Sequence, residues 1–480
     1  MLHRDNPQNQ EKLPWIQVSP DAPYFQTERG ESWTPIGQND AVTWPELAGL
    51  FRRRDLAAVD RHLAYLAASG VTCLRLMLEY SQGEHRHLEK PPGTFRPSMV
   101  QLWDDLFALC ARHGLRILLT PFDTFWMWKR WRRHPYNRAN GGICTSRSRW
   151  LTCRDTRAAV KRRLAFATER WGGGGTLFAW DLWNEIHPAH AGDDTGCFAE
   201  FIDDLSDSLR HREIEIHGRA HPQTVSVFGP LLVTRPEVAE TVFRHPKLDF
   251  HSTHFYETGT IDCPRNTVDA AVSAGRLVRE ALAEVPAGRP FFDSEHGPIH
   301  TFKDRRRTLP EPFDDEYFRH IQWAHLAAGG AGGGMRWPNR HPHTLTRGMR
   351  EAQKGLAAFT PLIDWTRFRR RNLSQEIEIA GAGCTGFACG DPEQAVAWIL
   401  RTDRRNRSGD RAGMLRRDAE PVSLLLSLPG LREGRYRITF WNTAAGRSAG
   451  CTEADRSPDG RLRVQLPPLV TDLALAVRRL

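Results

Sequence analysis

The ten residues Thr176–Glu185 read Thr-Leu-Phe-Ala-Trp-Asp-Leu-Trp-Asn-Glu, a largely apolar run that ends in a carboxylic acid. A run of this kind is typical of a strand that is buried on both faces, as in a parallel sheet covered by helices. A second apolar run, Arg289–Asp293, is followed directly by Ser294 and Glu295. Each of the two glutamates, Glu185 and Glu295, therefore comes at the end of a predicted strand.

Outward from these two runs, short apolar segments alternate with longer segments of helical spacing between residues 24 and 360. The other predicted strands are residues 29–38, 71–78, 115–122, 224–229, 248–255 and 333–337. Strand–helix repetition requires a parallel sheet covered by helices. About eight repeats favour a (β/α)₈ barrel over an open doubly wound sheet. An open sheet usually has a glycine-rich phosphate turn after its first strand, and this sequence has none there.

After residue 365 the pattern changes to short strand-like segments separated by turn residues. The turns include Gly390-Asp391-Pro392 and Pro429-Gly430, and this pattern predicts an antiparallel β-sandwich. The predicted organisation is an N-terminal extension over residues 1–23, a barrel over 24–364 and a C-terminal sandwich over 365–480.

The charge of the chain does not favour a nucleic-acid partner. The formal net charge is +9, but the arginines are scattered in short groups, whereas a nucleic-acid binder concentrates them on one face or arm. The 16 tryptophans are the marked excess in the composition. They fit a core of this size, and some of them fit a cleft that stacks on sugar rings.

Cysteine use and hydropathy predict a cytoplasmic protein. The chain has nine cysteines and no Cys-x-x-Cys pair, a pattern that fits free thiols better than a disulfide framework. Local pairs Cys144/Cys153 and Cys384/Cys389 stay open. Neither a signal-peptide-like stretch at the start nor a membrane-spanning run is present. If a signal has been trimmed from the chain, secretion or export to the periplasm is the alternative.

The two glutamates predict glycosidic chemistry. Functional groups of such barrels cluster at the C-terminal ends of the strands, so Glu185 and Glu295, after the fourth and seventh strands, should face each other. At a separation of about 5 Å, one carboxylate attacks the sugar and the other protonates the leaving oxygen, with retention of configuration. We assign Glu185 as general acid and base, with a raised pKa. Glu295 is assigned as nucleophile, ionised by donors from Arg75 and Tyr256.

These residues resemble those of the retaining barrel glycoside hydrolases, and of glycoside hydrolase family 5 in particular. The Asn-Glu pair after the fourth strand and the glutamate after the seventh carry the resemblance. Other matching residues are Trp33–Asn39 in the first strand, Arg75 in the second, His254 and Tyr256 in the sixth, and Trp337 in the eighth. Two departures are Asp123, where many members carry histidine, and His296, where Phe or Trp is usual.

The resemblance implies a retaining hydrolase of β-linked gluco- or manno-type saccharides, similar to cellulases and mannanases, without metal or cofactor. Its substrate is an oligo- or polysaccharide, and no nucleic acid or membrane is expected as a partner. The predicted substrate-binding residues are Asn39, Arg75, Asp123, Trp126, Asn184, His254, Tyr256, His296 and Trp337.

The loop Thr124–Arg154 is long for a barrel and rich in aromatic residues, so it either walls the cleft or anchors itself to the barrel rim. Three other functions stay open. A transglycosylase uses the same two carboxylates, and a non-catalytic sugar-binding barrel keeps the tryptophans but loses a carboxylate. A metal-dependent isomerase or lyase needs three or four acidic or histidine ligands at successive strand ends. The sugar, the linkage, endo or exo action and the oligomeric state are not determined by the sequence.

Overall fold

The computed structural model describes residues 12–52, 54–78, 87–299, 308–341 and 343–480. Residues 1–11 of the predicted N-terminal extension lie outside the described residues. A small antiparallel sheet precedes the barrel and consists of β1 Ile16–Val18, β2 Phe25–Thr27 and β3 Ser32–Trp33. The prediction of one barrel strand over residues 29–38 is wrong. Trp33 pairs with Phe25 in this small sheet, and the barrel begins only at Gly37.

A closed parallel sheet forms the centre of the protein. Its strands are β4 Gly37–Asp40, β5 Cys73–Met77, β6 Arg116–Thr120, β7 Leu177–Asp181, β8 Gln223–Thr224, β9 Ser226–Phe228, β10 His251–Phe255, β11 Phe291–His296 and β12 Met335–Arg336. Their order is β8-β7-β6-β5-β4-β12-β11-β10-β9. Because β8 and β9 are consecutive pieces of the fifth strand, separated by Val225, the sheet closes into eight strands. The predicted (β/α)₈ barrel is confirmed.

Helices surround this barrel. The α-helices are Ala48–Arg52, Leu56–Ala68, Pro97–Arg112, Thr124–Arg130, Arg154–Trp171, Cys197–His217, Gly229–Thr234, Thr267–Glu284, Glu311–Ala327 and Arg347–Phe359. The 3₁₀ turns are Trp131–Arg133, Arg138–Asn140, Arg147–Arg149, Pro188–His190 and Thr360–Leu362, and Ala239–Phe243 forms a π-helical turn. Of the four apolar residues with helical spacing in Leu56–Ala68, Val59, Leu63 and Leu66 are fully buried, whereas Leu56 is 38% exposed. The helix packs on the strands through the three buried positions.

The small N-terminal sheet closes the bottom of the barrel. The ring of Phe25 makes edge-to-face contacts with Phe178, Phe250 and Phe292, at centroid distances of 5.0, 5.4 and 6.3 Å. Phe178 and Phe292 lie near the N-terminal ends of β7 and β11, the two strands that carry the glutamates. Edge-to-face packing of buried rings contributes to stability beyond the area that it buries, so this contact supports those strands from below.

The C-terminal region is a two-sheet antiparallel sandwich, as predicted. One sheet has the order β13-β15-β16-β21-β18-β19 and the other the order β14-β17-β20. The strands are β13 Arg371–Asn372, β14 Glu378–Ala380, β15 Cys384–Gly390, β16 Gln394–Arg401, β17 Leu425–Leu428, β18 Arg435–Asn442, β19 Arg447–Asp455, β20 Leu462–Gln465 and β21 Asp472–Arg479. Apolar side chains of both sheets, among them Leu426 and Ile438, form one core between them.

The sandwich packs on the barrel through buried contacts. Phe387 and Trp398 belong to the same apolar cluster as barrel helix residues such as Tyr317. Arg319 pairs with the buried Asp472 at 3.2 Å. Burial by itself raises the pKa of Asp472. The charge of Arg319 and several weaker interactions lower it by more, so the pKa lies well below the usual range. The sandwich is thus attached by both an apolar contact and a buried ion pair.

All nine cysteines are free thiols, including Cys144 and Cys153 and the pair Cys384 and Cys389. Among the described residues, no helix is long and apolar enough to cross a bilayer.

Candidate active site

The two glutamates meet at the C-terminal mouth of the barrel. One carboxylate oxygen of Glu185, one of Glu295 and a ring nitrogen of His254 all lie within 4.8 Å of one another. Glu185 follows β7, Glu295 lies in β11 and His254 lies in β10. The fold therefore brings together acids that are separated by 110 residues in the chain.

Local backbone irregularities point these side chains into the barrel. In the β10–β11 ladder the register shifts, so that Thr253 pairs with Asp293 and His254 with Glu295, and Ser294 is passed over. Such a bulge re-aims side chains next to active sites. Glu185 has φ of 52°, a left-handed conformation that is strained for a residue with a Cβ. Strain at this position is typical of a functional residue whose surroundings enforce its direction.

Arg75 is the centre of a buried polar network below the glutamates. Its side chain is fully buried and pairs with Glu295 at 2.9 Å and with Asp181 at 2.7 Å. It also donates to the side-chain oxygens of Asn39 and Asn184. Asp181 thus balances the guanidinium from inside the fourth strand. One planar cation with several donors can bridge four strands in this way.

His254 connects Glu185 to a pair of serines. Its Nδ1 is hydrogen-bonded to Oε1 of Glu185 at 2.7 Å, and its Nε2 to the hydroxyl of Ser294 at 3.1 Å. The hydroxyl of Ser252 donates to Ser294 in turn. Burial lowers the pKa of His254 to about 4, so the ring is neutral near pH 7. A neutral ring can hold its neighbour in place without adding a charge to the site.

Burial raises the pKa values of both glutamates. The pKa of Glu185 rises to about 7, chiefly through burial and with an opposing effect of Arg75. The pKa of Glu295 is raised by burial and by the charge of Glu185, although His254, Arg75 and a hydrogen bond from the Tyr256 hydroxyl at 2.7 Å lower it. Both predicted donors to Glu295, Arg75 and Tyr256, are present. They lower its pKa, whereas burial raises it.

A pocket of about 350 Å³ opens above this network. It is lined by Met77, Asp123, Phe125, Lys129, Asn184, Glu185, Phe228, Tyr256, Glu295, Ile299 and Trp337. Trp337 belongs to a small apolar cluster with Trp44 and Trp126. A polar floor with aromatic walls is the composition that suits a sugar ring, which has hydroxyl edges and apolar faces.

The predicted substrate-binding residues occupy different places relative to this pocket. Asn184, Tyr256 and Trp337 line it, whereas Asn39 is buried beneath it, where its amide donates to the carbonyl of Ser294 and its oxygen accepts from Arg75. Trp126 is only 9% exposed and packs in the wall behind Trp337.

Asp123 and His296 have structural partners in the described residues. Asp123 lines the pocket but caps the helix Thr124–Arg130, accepting from the backbone of Phe125 and Trp126. Burial raises its pKa to about 7. His296 is fully buried and bonded to Asp293 at 2.6 Å, so the structure does not bring it to the pocket. The bulge at Ser294 directs Glu295 inward and leaves His296 outside the barrel wall.

Several residues that line the pocket were not predicted from the sequence. Phe125 and Lys129 are four residues apart on the helix after the third strand, and Phe228 ends the fifth strand. The spacing of four was visible in the sequence and places two side chains on one face. Met77 and Ile299 carried no signal, because an isolated apolar residue at a strand end is ordinary core.

Two groups of described residues have atoms arranged to hold a cation. One is Glu185, His254 and Glu295, and the other is Asp40, Glu46 and His62. In the first group both oxygens of Glu295 already accept hydrogen bonds, and His254 Nδ1 is bonded to Glu185.

Comparison with solved structures assigns the fold. A protein described as a glycoside hydrolase has a TM-score of 0.61 at 13% identity, with 99% of this chain and 98% of that chain covered. A glycoside hydrolase family 5 protein from Bacteroides vulgatus ATCC 8482 has a TM-score of 0.60 at 13% identity, covering 99% and 94%. A glycoside hydrolase family 5 mannosidase from Rhizomucor miehei has a TM-score of 0.51 at 12% identity, covering 68% and 86%.

The chain therefore has the barrel fold of family 5 glycoside hydrolases, and the similarity to the first two of these proteins covers 99% of its length. No protein-family model matches the sequence. A search of curated proteins also finds no match.

Proposed function

We propose that the protein is a retaining β-glycoside hydrolase that cleaves β-linked gluco- or manno-type saccharides by double displacement. The observation that carries this proposal is the separation of the two carboxylates, whose oxygens come within 4.8 Å. Retaining enzymes keep their carboxyl groups about 5–5.5 Å apart, whereas inverting enzymes leave about 6.5–9.5 Å for a water. A family 5 mannosidase among the similar folds makes β-mannosides the first substrates to test.

In the first step, the carboxylate of Glu295 attacks the anomeric carbon, and the bond to the leaving oxygen breaks. Glu185 transfers its proton to that oxygen, so the leaving group departs as an alcohol. The product is an ester between Glu295 and the sugar. A pKa of about 7 for Glu185 keeps this acid protonated in mildly acidic solution, as the step requires.

In the second step, water attacks the anomeric carbon and the ester bond breaks. Glu185, now a carboxylate, accepts a proton from that water, and Glu295 is released as a carboxylate. Arg75 and the Tyr256 hydroxyl stabilise the charge that returns to Glu295. Two opposed displacements give a product with the configuration of the substrate.

The pocket also fits the sugar hydroxyl next to the anomeric carbon. Asn184 lines the pocket beside Glu185, and its side-chain oxygen accepts from Arg75. Its amide nitrogen donates to Asp123. An amide held by two buried neighbours is preorganised, and bonds of this kind contribute most when they strengthen in the transition state.

The test begins with a panel of 4-nitrophenyl β-glycosides, mannoside and glucoside first, and with NMR of the first-formed anomer. We expect a β-anomer as the first product. We also expect Glu295→Gln to lose at least about 10⁴-fold in turnover, since a missing nucleophile leaves only binding and proton transfer. Glu200→Gln, on an exposed helix position, is the matched control. An α-anomer first, or substantial activity in Glu295→Gln, contradicts the proposal.

Transglycosylation is the second candidate, because the same ester intermediate can pass to an alcohol instead of water. Product analysis with added acceptor sugars separates the two. If the protein binds these sugars without turnover, it is a sugar-binding barrel. Activity abolished by EDTA and restored by a divalent ion would favour the metal-dependent isomerase or lyase.

A further inference from the structure

The loop over the barrel mouth carries an unusual charge. Residues 124–153 include seven Lys or Arg and no Asp or Glu, so this stretch contributes +7 where the whole chain has +9. Elsewhere on the barrel, arginines pair with acids of neighbouring helices, as Arg157 does with Glu200 and Arg170 with Asp104. In the loop, every cation except Arg133 lacks an ion pair with any carboxylate in the described part of the chain.

Two of these cations lie beside exposed aromatic rings. The Lys129 ammonium lies 4.4 Å from the ring centre of Phe125, and both residues line the pocket. The Arg147 guanidinium lies 5.0 Å from the ring centre of Trp128. Phe125 is 37% exposed and Trp128 43% exposed, which is unusual for rings of this size. Cations held over aromatic faces remain charged and keep donors free on their outer side.

These pairs lie next to the strand that carries Glu185. Lys129 and Phe125 come from the helix after the third strand, and Phe228 ends the fifth, so they flank the fourth strand that carries Glu185. The Trp128 ring contacts His187, two residues after Glu185, at 4.9 Å. Because the leaving oxygen must meet Glu185 to be protonated, the sugar attached to it extends toward these residues.

We propose that this side of the pocket binds a negatively charged sugar unit, a uronate or a sulfated sugar, as the leaving group. Phe125 and Trp128 stack on pyranose rings, while Lys129 and Arg147 pair with the carboxylate or sulfate. A cleft lined by one sign of charge also raises the local concentration of an oppositely charged substrate. This inference rests on the proposed function, since it extends the substrate of the same site.

The first experiment compares two aryl glycosides of the sugar that the panel identifies, one with a 4-nitrophenyl and one with a 3-carboxy-4-nitrophenyl leaving group. For each protein, the kcat/KM of the carboxylated glycoside is divided by that of the 4-nitrophenyl glycoside. This ratio is measured for the wild type, Lys129→Met, Arg147→Met and the control Lys354→Met, which changes an exposed lysine elsewhere. The two leaving groups differ in intrinsic reactivity, and this difference cancels when the ratio of one variant is compared with that of another. Salt at roughly 0.5 M, where the Debye length falls to about 4 Å, should reduce the wild-type ratio.

An exposed ion pair contributes up to about 1 kcal/mol, which corresponds to about fivefold. We therefore expect Lys129→Met and Arg147→Met each to lower the ratio by about two- to fivefold, and Lys354→Met to keep it. A ratio that neither loop variant changes overturns the inference while the hydrolase proposal stands.

The second experiment measures binding, so it does not depend on turnover. Calorimetry with Glu295→Gln compares a hyaluronan tetrasaccharide, which carries carboxylates, a chondroitin sulfate tetrasaccharide and neutral cellotetraose. Poly-L-glutamate serves as a polyanion without sugar rings. Tighter binding of one anionic tetrasaccharide, lost when Lys129→Met is added, supports the inference and identifies carboxylate or sulfate. Equal binding of cellotetraose, or of poly-L-glutamate, overturns it. If no glycoside is cleaved but this binding pattern holds, the failure lies in the proposed function.

Discussion

Replacing Arg75 by methionine tests the buried network that holds the two catalytic candidates. Methionine has a similar length and no charge, so the variant removes the cation with little change in packing volume. Glu295 and Asp181, each within 3 Å of the guanidinium, then share the barrel interior without a counter-charge. Breaking a buried ion pair by removing one partner typically costs about 3–5 kcal/mol.

The loss of stability should depend on pH. Without Arg75, the folded-state pKa of Glu295, which burial already raises, rises further above its value in the unfolded chain. A carboxyl group with a raised folded pKa destabilises the fold increasingly as pH rises through the unfolded value of about 4 toward the folded value. We therefore expect the variant to be close to the wild type near pH 4 and to lose the full amount near pH 8.

Thermal denaturation at pH 4.5 and pH 8 measures this difference. A loss of about 3–5 kcal/mol corresponds to a Tm lower by roughly 4–7 °C in a barrel of about 340 residues. Arg54→Met, which removes an exposed partner of Asp105, is the matched control and should change Tm little. The acid limb of kcat/KM should also move to higher pH, because Arg75 lowers the pKa of Glu295. A Tm deficit that is equal at both pH values, or absent, refutes the reasoning.

Three further predictions concern the acid, its neighbour and the domain contact. The pH profile of wild-type activity should fall on its alkaline side near pH 7, the pKa of Glu185, and Glu185→Ala should lose this fall. Azide should restore turnover of aryl glycosides by this variant. If the variant keeps the alkaline fall, another group causes it. His254→Phe should lower kcat by about 10–100-fold through misplacement of Glu185, read from kcat and KM separately, and unchanged kcat contradicts a positioning role. A change from Gly to Ala usually stabilises a helix, but Gly275→Ala should lower Tm. A Cβ at this position would lie 2.3 Å from the Phe387 ring, and overpacking costs about 1–3 kcal/mol. A higher Tm would show that the sandwich can shift.

The strand assignments succeeded where burial was continuous and failed where an apolar residue had another partner. The runs before Glu185 and Glu295 were predicted because strands covered on both faces are apolar throughout. The first strand was misplaced because Trp33 pairs with Phe25 outside the barrel. Long-range pairing decides between such alternatives, and no local propensity encodes it.

Side-chain direction was the other point that the sequence left undetermined. Strict alternation along β11 would point Ser294 and Glu295 to opposite faces. The register shift at this point instead lets the hydroxyl of Ser294 and the carboxylate of Glu295 both contact groups inside the barrel. A bulge depends on the partner strand, so the different surroundings of Glu295 and His296 were not visible in the sequence.

The sequence by itself determined the barrel, the appended sandwich and the candidacy of Glu185 and Glu295, because burial pattern and strand ends are local properties of the chain. Only the tertiary structure decided how close the two carboxylates come, how far their pKa values rise and which cations stand beside the pocket. Those quantities depend on contacts such as that of Arg75 with Glu295, 220 residues apart, and on the exclusion of water that the closed barrel produces.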